Sequence, residues 1–472
     1  MSPTLAALVF VIGIAVFFYF DRGQVRVSKA LWIPTVWLFF CSSRSLTQWL
    51  GLDAGTDQAG GYVDGSPVDR NFLIVLQIIA LIVLINRRRR VGPILRKNWV
   101  IGLFFLYAAI SMAWSDFPFV TLKHWIKGIG DVMMVLIVLT EPDIAGAVKR
   151  LVTRLAFVLV PLSLLFIWYY PSLGRVHTMD WTPEAVGVAT QKNGLGELCD
   201  LYGLALLWRF RDAYNDRKAP NRRWRLLGLG AVLAMIVWLL HLCNSLTSIC
   251  ALSMASVVML LSTRPAFRRK PVFLHLLVTG VLACTLYGLF FQSSGVLMQG
   301  LGRDRTLSGR TDAWPQFLKL AKNPLVGVGY ESFWLGDRLQ KVWVITEGLK
   351  INEAHNGYVE VLLTLGWIGL AIIGVLIATG YRNVIAAYRR DPEANSLRIA
   401  WFLAAVITGL TEAAFRMMGL PWIVFLLATA NSNWAASRKT GLSAPPTRPL
   451  ETPRAKLGFV RAEAVVTRQY AR

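Results

Sequence analysis

Charge and cysteine are both scarce in this chain of 472 residues, and each scarcity excludes something. Only 16% of the residues are charged while 55% are hydrophobic. A disordered chain is therefore excluded, and so is an ordinary soluble domain, which keeps about a quarter of its residues charged. Acids are the scarcer sign, with 27 Asp plus Glu against 50 Lys plus Arg and a net charge of +23. A basic excess can mark nucleic-acid binding, but here the cations sit in short clusters between long apolar runs. That is the pattern of loops joining membrane segments, so no nucleic-acid partner is expected. The five cysteines, Cys41, Cys199, Cys243, Cys250 and Cys284, fall in or beside apolar runs without CxxC spacing. Neither a disulfide framework nor a zinc site follows. HExxH, EF-hand and Walker A patterns are lacking, so no motif here marks a metal or cofactor site.

What the chain has is apolar length. Thirteen runs between Leu5 and Ala430 are candidates to cross a bilayer, which takes about 20 residues in the simplest case. Four of them, Ala30 to Cys41, Ile126 to Leu139, Ile399 to Thr411 and Leu420 to Ala430, are short. The expectation is an all-α polytopic integral membrane protein with about 11–13 transmembrane helices. Residues 1–291 would hold helices 1–10 with short loops, 292–356 a large outer loop, 357–430 the C-terminal helices and 431–472 a basic, disordered tail. The alternate loops 21–29, 87–98, 141–150, 211–225, 263–271, 381–398 and 431–472 hold 33 of the 50 cations. The positive-inside rule makes that set cytoplasmic, with Arg87, Arg88, Arg89 and Arg90 as its clearest marker. The first run lacks a positive stretch before it and reads as an uncleaved anchor with its N-terminus outside.

The loop 292–356 is the one long enough for a site, because long loops in compact folds are functional or disordered. It holds Arg303, Arg305, Arg310, Asp312, Trp314, Tyr330, Trp334 and His355, a mixture suited to an anionic ligand that bears rings. A solvated lid is the bland alternative. His355 and Asn356 immediately precede the apolar run Gly357 to Gly380, and an imidazole at a membrane surface can take a proton near neutral pH. His124, His177, His241 and His275 have the inert reading, and Gly327-Val-Gly329 reads as a turn. Ionisable residues in or near spans are functional candidates. Lys123, Lys127 and Asp131 follow i, i+4, i+8 spacing, as Glu412 and Arg416 follow i, i+4. Lys127 with Asp131 and Glu412 with Arg416 read as structural ion pairs, whereas Lys123 and Lys192 stand near the outer surface. Glu197 and Asp200 follow one and two turns into the seventh run.

His355-Asn356, followed nine residues later by Gly366 and then Gly369, resembles the histidine motif of the O-antigen ligase and Wzy-type polysaccharide polymerase family. Arg303, Leu307, Ser308-Gly309-Arg310, Trp314, Asn323-Pro324-Leu325 and Gly327-Val-Gly329-Tyr330 stand in that family's order. The stretches Gly65 to Arg70, Ser115 through Lys123 to Glu141, and Lys192-Asn193 with Gly194 and Gly196 are similar to the exopolysaccharide branch, of the succinoglycan type. The resemblance implies a metal-independent, inverting GT-C-type glycosyltransferase. Its substrate would be oligosaccharide on undecaprenyl pyrophosphate, at the periplasmic face of a bacterial inner membrane. It implies His355 as general base, a pyrophosphate clamp drawn from Arg303, Arg310, Lys192 and Lys123, and substrate contacts from Arg305, Asn356, Trp314, Tyr330 and Glu353. Glu353 or Asp312 could instead take the proton, with His355 positioning the substrate. Implied partners are the growing polysaccharide, the lipid bilayer, and chain-length regulator and export proteins. The alternatives are a ligase that moves a glycan to lipid A core or another acceptor, and a precursor transporter or flippase. Transporters tend to show internal repeats and broken midplane helices, and no internal repeat is found here.

Overall fold

The computed structural model describes residues 1–20, 27–52, 66–177, 181–218, 221–290, 310–346 and 350–434, with backbone alone for 288–290 and 310–312. Nearly all of this is helix. The long helices are α1 (Pro3–Phe20), α2 (Trp32–Cys41), α3 (Pro67–Asn86), α4 (Arg88–Lys97), α5 (Trp99–Ile110), α6 (Pro118–Leu139), α7 (Ile144–Tyr169) and α8 (Lys192–Asn215). They continue as α9 (Arg222–Cys243), α10 (Leu246–Ser262), α11 (Pro271–Phe290), α12 (Arg310–Leu320), α13 (Gly336–Ile345), α14 (Gly357–Arg390), α15 (Pro392–Thr408) and α16 (Leu420–Thr429). Two three-residue strands, β1 (Arg175–His177) and β2 (Pro183–Ala185), pair antiparallel with Val176 opposite Glu184.

Starts are written locally. Ser66 accepts from the Val68 N–H with Pro67 at the first position of α3, and Asp391 does the same for Glu393 and Ala394 ahead of Pro392 in α15. Among the described residues, five helices, α1, α3, α7, α9 and α14, are each long and apolar enough to cross a membrane. The pair α4–α5 would add a sixth, but it bends by 84°. Shorter apolar helices lie at Lys29–Cys41, Leu246–Ser262, Pro271–Tyr287 and Leu420–Thr429. On α3, Val75, Ile78, Leu81, Ile82 and Ile85 are each more than half exposed, which suits hydrocarbon and not water. The chain is an all-α polytopic membrane protein.

The inner faces form one large core in which α8 packs on α9 and α10, and α15 on α10, α14 and α16. Arg398, fully buried in α15, belongs to that core and not to a cytoplasmic loop. It donates from Nε to Ala428 O (2.7 Å) and from Nη1 to Ser432 O (3.0 Å). It thereby satisfies Ala428 O, which the end of α16 leaves without a helical partner, and Ser432 O just beyond the helix.

Helix ends sort into two sets. At one end Arg87 Nη1 lies 2.8 Å from Glu141 Oε1, tying the end of α3 to that of α6. Burial pushes the Glu141 carboxyl up, yet hydrogen bonds from Ser28 and Arg87 outweigh it and hold the group below the usual carboxylate range. Lys149–Asp212 (2.7 Å) and Arg268–Glu393 (3.3 Å) join further helix ends there. The starts of α3, α6, α8, α14 and α16 lie at the other end.

The described part of the outer loop, 310–346 and 350–356, has its own small core of Phe317, Phe333, Trp334, Leu339 and Val342, to which α14 contributes Leu363. That segment also closes a break in α14. Gly366 adopts φ 66° inside the helix, and the freed backbone groups bond across: Trp367 N to Pro324 O (3.0 Å), Ile368 N to Leu325 O (3.1 Å) and Gly329 N to Thr364 O (2.8 Å). A Cβ on Gly366 would lie 2.3 Å from Leu325 O, and one on Gly327 (φ 68°) 2.5 Å from Thr364 C. Glycine at both positions is thus a demand of backbone meeting backbone. The turn reading of Gly327-Val-Gly329 agrees, since Gly327 N bonds Asn323 O at 2.8 Å.

Candidate active site

His355 is held by its neighbours before any ligand is considered. Its backbone is left-handed, φ 49°, a conformation that costs a non-glycine residue about 1–3 kcal/mol. On one side Trp314 Nε1 donates to Ala354 O (2.9 Å), while the Ala354 N–H donates to Glu360 Oε1 (2.5 Å). On the other, Asn356 Oδ1 caps α14 by accepting from the N–H groups of Tyr358 and Val359 (3.0 Å each). Asn356 Nδ2 donates to Leu410 O (3.0 Å) and Gly357 N to Gly409 O (2.8 Å). Those two bonds seat the start of α14 on the irregular segment after α15.

That segment delivers Glu412. His355 Nδ1 lies 3.1 Å from Glu353 Oε1 and 3.2 Å from Glu412 Oε2. An ionised carboxylate only accepts, so hydrogen bonds to both acids require the proton on Nδ1, and in that tautomer the lone pair is on Nε2, at the opposite edge of the ring. Glu412 Oε1 accepts from Asn193 Nδ2 at the start of α8 (2.8 Å), and Glu353 Oε2 lies 3.6 Å from Arg416 Nη1. Ligand atoms of Glu353, His355 and Glu412 all lie within 4.8 Å of one another, a spacing that a cation could also bridge.

A cavity of about 440 Å³ adjoins this group, within the roughly 300–1,000 Å³ of small-molecule sites. Glu353 and Glu412 line it, and His355, with 19% of its side chain exposed, stands beside it through them. Lys127 and His124 line it from α6, Glu197 and Asn193 from α8, and Arg416 from the segment before α16. Arg416 Nε is bonded to Glu331 Oε2 (3.2 Å), and Glu331 Oε1 accepts from Met417 N (3.3 Å). His124 Nδ1 meets Glu331 O at 3.1 Å. Glu331, His355 and Met418 are three of the six non-glycine residues with positive φ among the described residues. Strained backbone therefore concentrates at this site. The loop is fastened nearby, as Lys322 Nζ (2.8 Å) and Arg338 both bind Asp116, between α5 and α6. The Lys322 hydrogen bond, with Arg338, holds the Asp116 carboxyl below its usual range.

Several sequence expectations land elsewhere. Arg303 and Arg305 lie outside the described residues, and Arg310 begins α12 with its side chain undescribed. Lys192 turns to Glu184 of β2 and does not line the cavity. Lys123 rests over the Phe119 ring at 4.9 Å. Tyr330 is buried in the main core, its hydroxyl without a hydrogen-bond partner among the described residues, and it does not line the cavity. Trp314 and Asn356 spend their polar atoms on the backbone around His355. The expected Lys127–Asp131 pair is not found among the described residues. Asp131 accepts from Trp37 Nε1 (2.9 Å) and Met418 N (2.8 Å), leaving Lys127 to the cavity. Glu412 and Arg416 sit in a non-helical segment, where i, i+4 spacing stacks nothing. His124, expected to be inert, lines the cavity, while Lys127, Glu412, Arg416 and Asn193 join it as residues the sequence reading had not cast as ligand contacts. Their one legible signal was charge or polarity at a span end.

Fold and site together define a multi-pass membrane protein with a polar, charged cavity at one end of its helices. Residues 230–374 match the sequence model of the family described as O-antigen ligase. The exopolysaccharide production protein ExoQ of Rhizobium meliloti (strain 1021) is 28% identical over 332 residues, covering 67% of this chain and 72% of that protein. The two matches support the O-antigen ligase/ExoQ-type family for this chain.

Proposed function

We propose that the protein is a membrane glycosyltransferase that polymerises lipid-pyrophosphate-linked oligosaccharide repeat units into exopolysaccharide. The family match and the ExoQ relative support a function of polysaccharide polymerase or ligase type. The observation that carries the chemistry is His355 Nδ1 held between Glu353 and Glu412. With that edge occupied, Nε2 accepts the proton of an acceptor sugar hydroxyl. The oxygen attacks the anomeric carbon from the face opposite the leaving group, and the anomeric C–O bond breaks with its electron pair passing to the pyrophosphate. The products are an inverted glycosidic bond and the free lipid pyrophosphate. Proton transfer of this kind is worth on the order of 10²–10⁴ in rate. The departing charge meets Lys127, which has no ion-pair partner among the described residues, and Arg416, both on the cavity wall. Arg303 and Arg310 remain candidates from the same loop.

No metal takes part in this reading, and the carrier lipid is undecaprenyl pyrophosphate at the periplasmic face of the inner membrane. Purified protein given lipid-linked oligosaccharide should yield a ladder of products, unaffected by chelator and lost in His355→Ala of normal folding. A single shifted product with an added acceptor would indicate the ligase, and an unchanged ladder in the variant would remove His355 from the base role. Movement of the lipid-linked substrate across the bilayer without product would indicate a transporter. A ladder abolished by chelator and restored by a divalent ion would give the Glu353, His355 and Glu412 group to a metal.

A further inference from the structure

At the opposite end of the helices from His355, a second cavity of about 350 Å³ opens between the start of α5, the far part of α14 and the end of α16. Arg382 on its wall is sixteen residues past the Gly366 break, roughly 24 Å along the helix at about 1.5 Å per residue. Lys97, from the end of α4, faces the same space. Neither cation has an ion-pair or hydrogen-bond partner among the described residues, and no carboxylate is among those that line the cavity. The polar walls are fixed by other bonds. Asn98 Nδ2 donates to Ile94 O (2.8 Å) and its Oδ1 accepts from Asn431 N (2.7 Å), while Asn383 Nδ2 donates to Thr429 O (3.1 Å). What remains is a pocket lined by two exposed like charges, Lys97 and Arg382, which an anion between them would relieve.

The surroundings say what sort of anion. α4 buries none of its residues, carries Arg88, Arg89, Arg90, Arg96 and Lys97, and meets α5 at 84°. It lies across the end of the bundle, the posture of a basic amphipathic helix at a membrane surface. Trp99 at the corner is 63% exposed, and tryptophan favours that interface. Below it the side chains of Leu103, Leu106 and Val375 are exposed on α5 and α14, so an apolar surface runs on from the charged pocket. We propose that this cavity binds the phosphate of an anionic phospholipid, with Lys97 and Arg382 on its oxygens and the acyl chains along Leu103, Leu106 and Val375. The lipid comes from the leaflet at the arginine-rich end, where basic pockets between helices recognise such headgroups.

The full chain in neutral detergent is titrated with phosphatidylglycerol, phosphatidylcholine or inorganic phosphate, and retained ligand is counted by native mass spectrometry. Phosphatidylglycerol should be retained where phosphatidylcholine is not. Lys97→Gln and Arg382→Gln should each weaken retention about fivefold to tenfold, as expected for one cation near a lipid phosphate. Arg88→Gln, outside the cavity, should not. Unchanged retention in both cavity variants, or equal retention of phosphatidylcholine, overturns the proposal. Inorganic phosphate that displaces the lipid at similar concentration makes this a free-anion site and overturns the lipid assignment. Should the glutamine variants fail to fold, Lys97→Arg and Arg382→Lys keep the charge and must retain the lipid, and loss of it in those variants with normal melting overturns the proposal equally.

Discussion

Glu412 Oε2 lies 3.2 Å from His355 Nδ1, although 57 residues separate them in the chain. The second acid, Glu353, approaches the same nitrogen from two residues away at 3.1 Å. One N–H cannot serve both acceptors fully, so either carboxylate can substitute in part for the other. Glu353→Gln and Glu412→Gln should each slow turnover by about tenfold, a part of the roughly 10²–10⁴ that the base itself supplies. The double variant should lose more than the product of the two single effects. Rates of polymer formation at saturating substrate test this, and a strictly multiplicative result would mean that the two acids act independently.

Lys127 faces the cavity and Lys192 does not. Lys127→Ala should lower kcat/KM at least tenfold, or about 1.4 kcal/mol of transition-state stabilisation. Lys192→Ala should leave kcat/KM within about twofold, because Lys192 is spent on the part-buried Glu184 and lies off the cavity. Steady-state kinetics on the lipid-linked substrate decide, and the reverse ranking would restore Lys192 to the clamp.

Gly366→Ala puts a Cβ against Leu325 O at a backbone angle that L-residues avoid. It should destabilise the protein by on the order of 2–4 kcal/mol. Gly374→Ala in the same helix meets nothing within 4 Å and should be neutral or stabilising by up to about 1 kcal/mol. Thermal unfolding in one detergent compares the pair, and equal melting temperatures would contradict the account of the break.

Asp116 fastens the outer segment through Lys322 and Arg338, and its carboxyl is held low, the Lys322 bond being the largest cause. A depressed carboxylate contributes stability above its unfolded value, about 3.9, and loses it as pH falls through the folded value. The fastening should therefore hold unchanged from about pH 8 to pH 5 and fail only in stronger acid. Asp116→Asn should expose the segment 310–346 to protease at neutral pH, whereas wild type should resist across that window. Cleavage of wild type that rises between pH 8 and pH 5 would show that another group governs docking.

Much of this was legible in the sequence. Apolar length gave the membrane class, and Arg87 to Arg90 mark the end of α3 where Glu141 and Ser28 gather. His355-Asn356 pointed at the place where Glu353 and Glu412 gather beside the cavity, and the spaced Gly327 and Gly366 proved to be one contact. Three things hid. Periodicity assumes a helix, so it paired Glu412 with Arg416 where the chain is irregular. Buried charge such as Arg398 looks in sequence like a loop cation, since nothing local announces that it will cap α16. Tyr330 lay in the right motif but packs inward against Phe104 and Gly128. Residue type and order identify a site's neighbourhood, whereas the direction of a side chain is settled by tertiary contacts.

The break at Gly366 also constrains biosynthesis. The segment that completes it, Asn323 to Tyr330, leaves the ribosome before α14 does, and until they meet both carry bare amide and carbonyl groups. Hydrocarbon is costly for such groups, so the segment waits outside the apolar layer until α14 has inserted. His355, only eleven residues before the break, takes its final place in that same closing event. Maturation of the end that carries His355 is thus a late step, and a chain stopped short of α14 holds the α6 and α8 walls of the cavity without the rest of it.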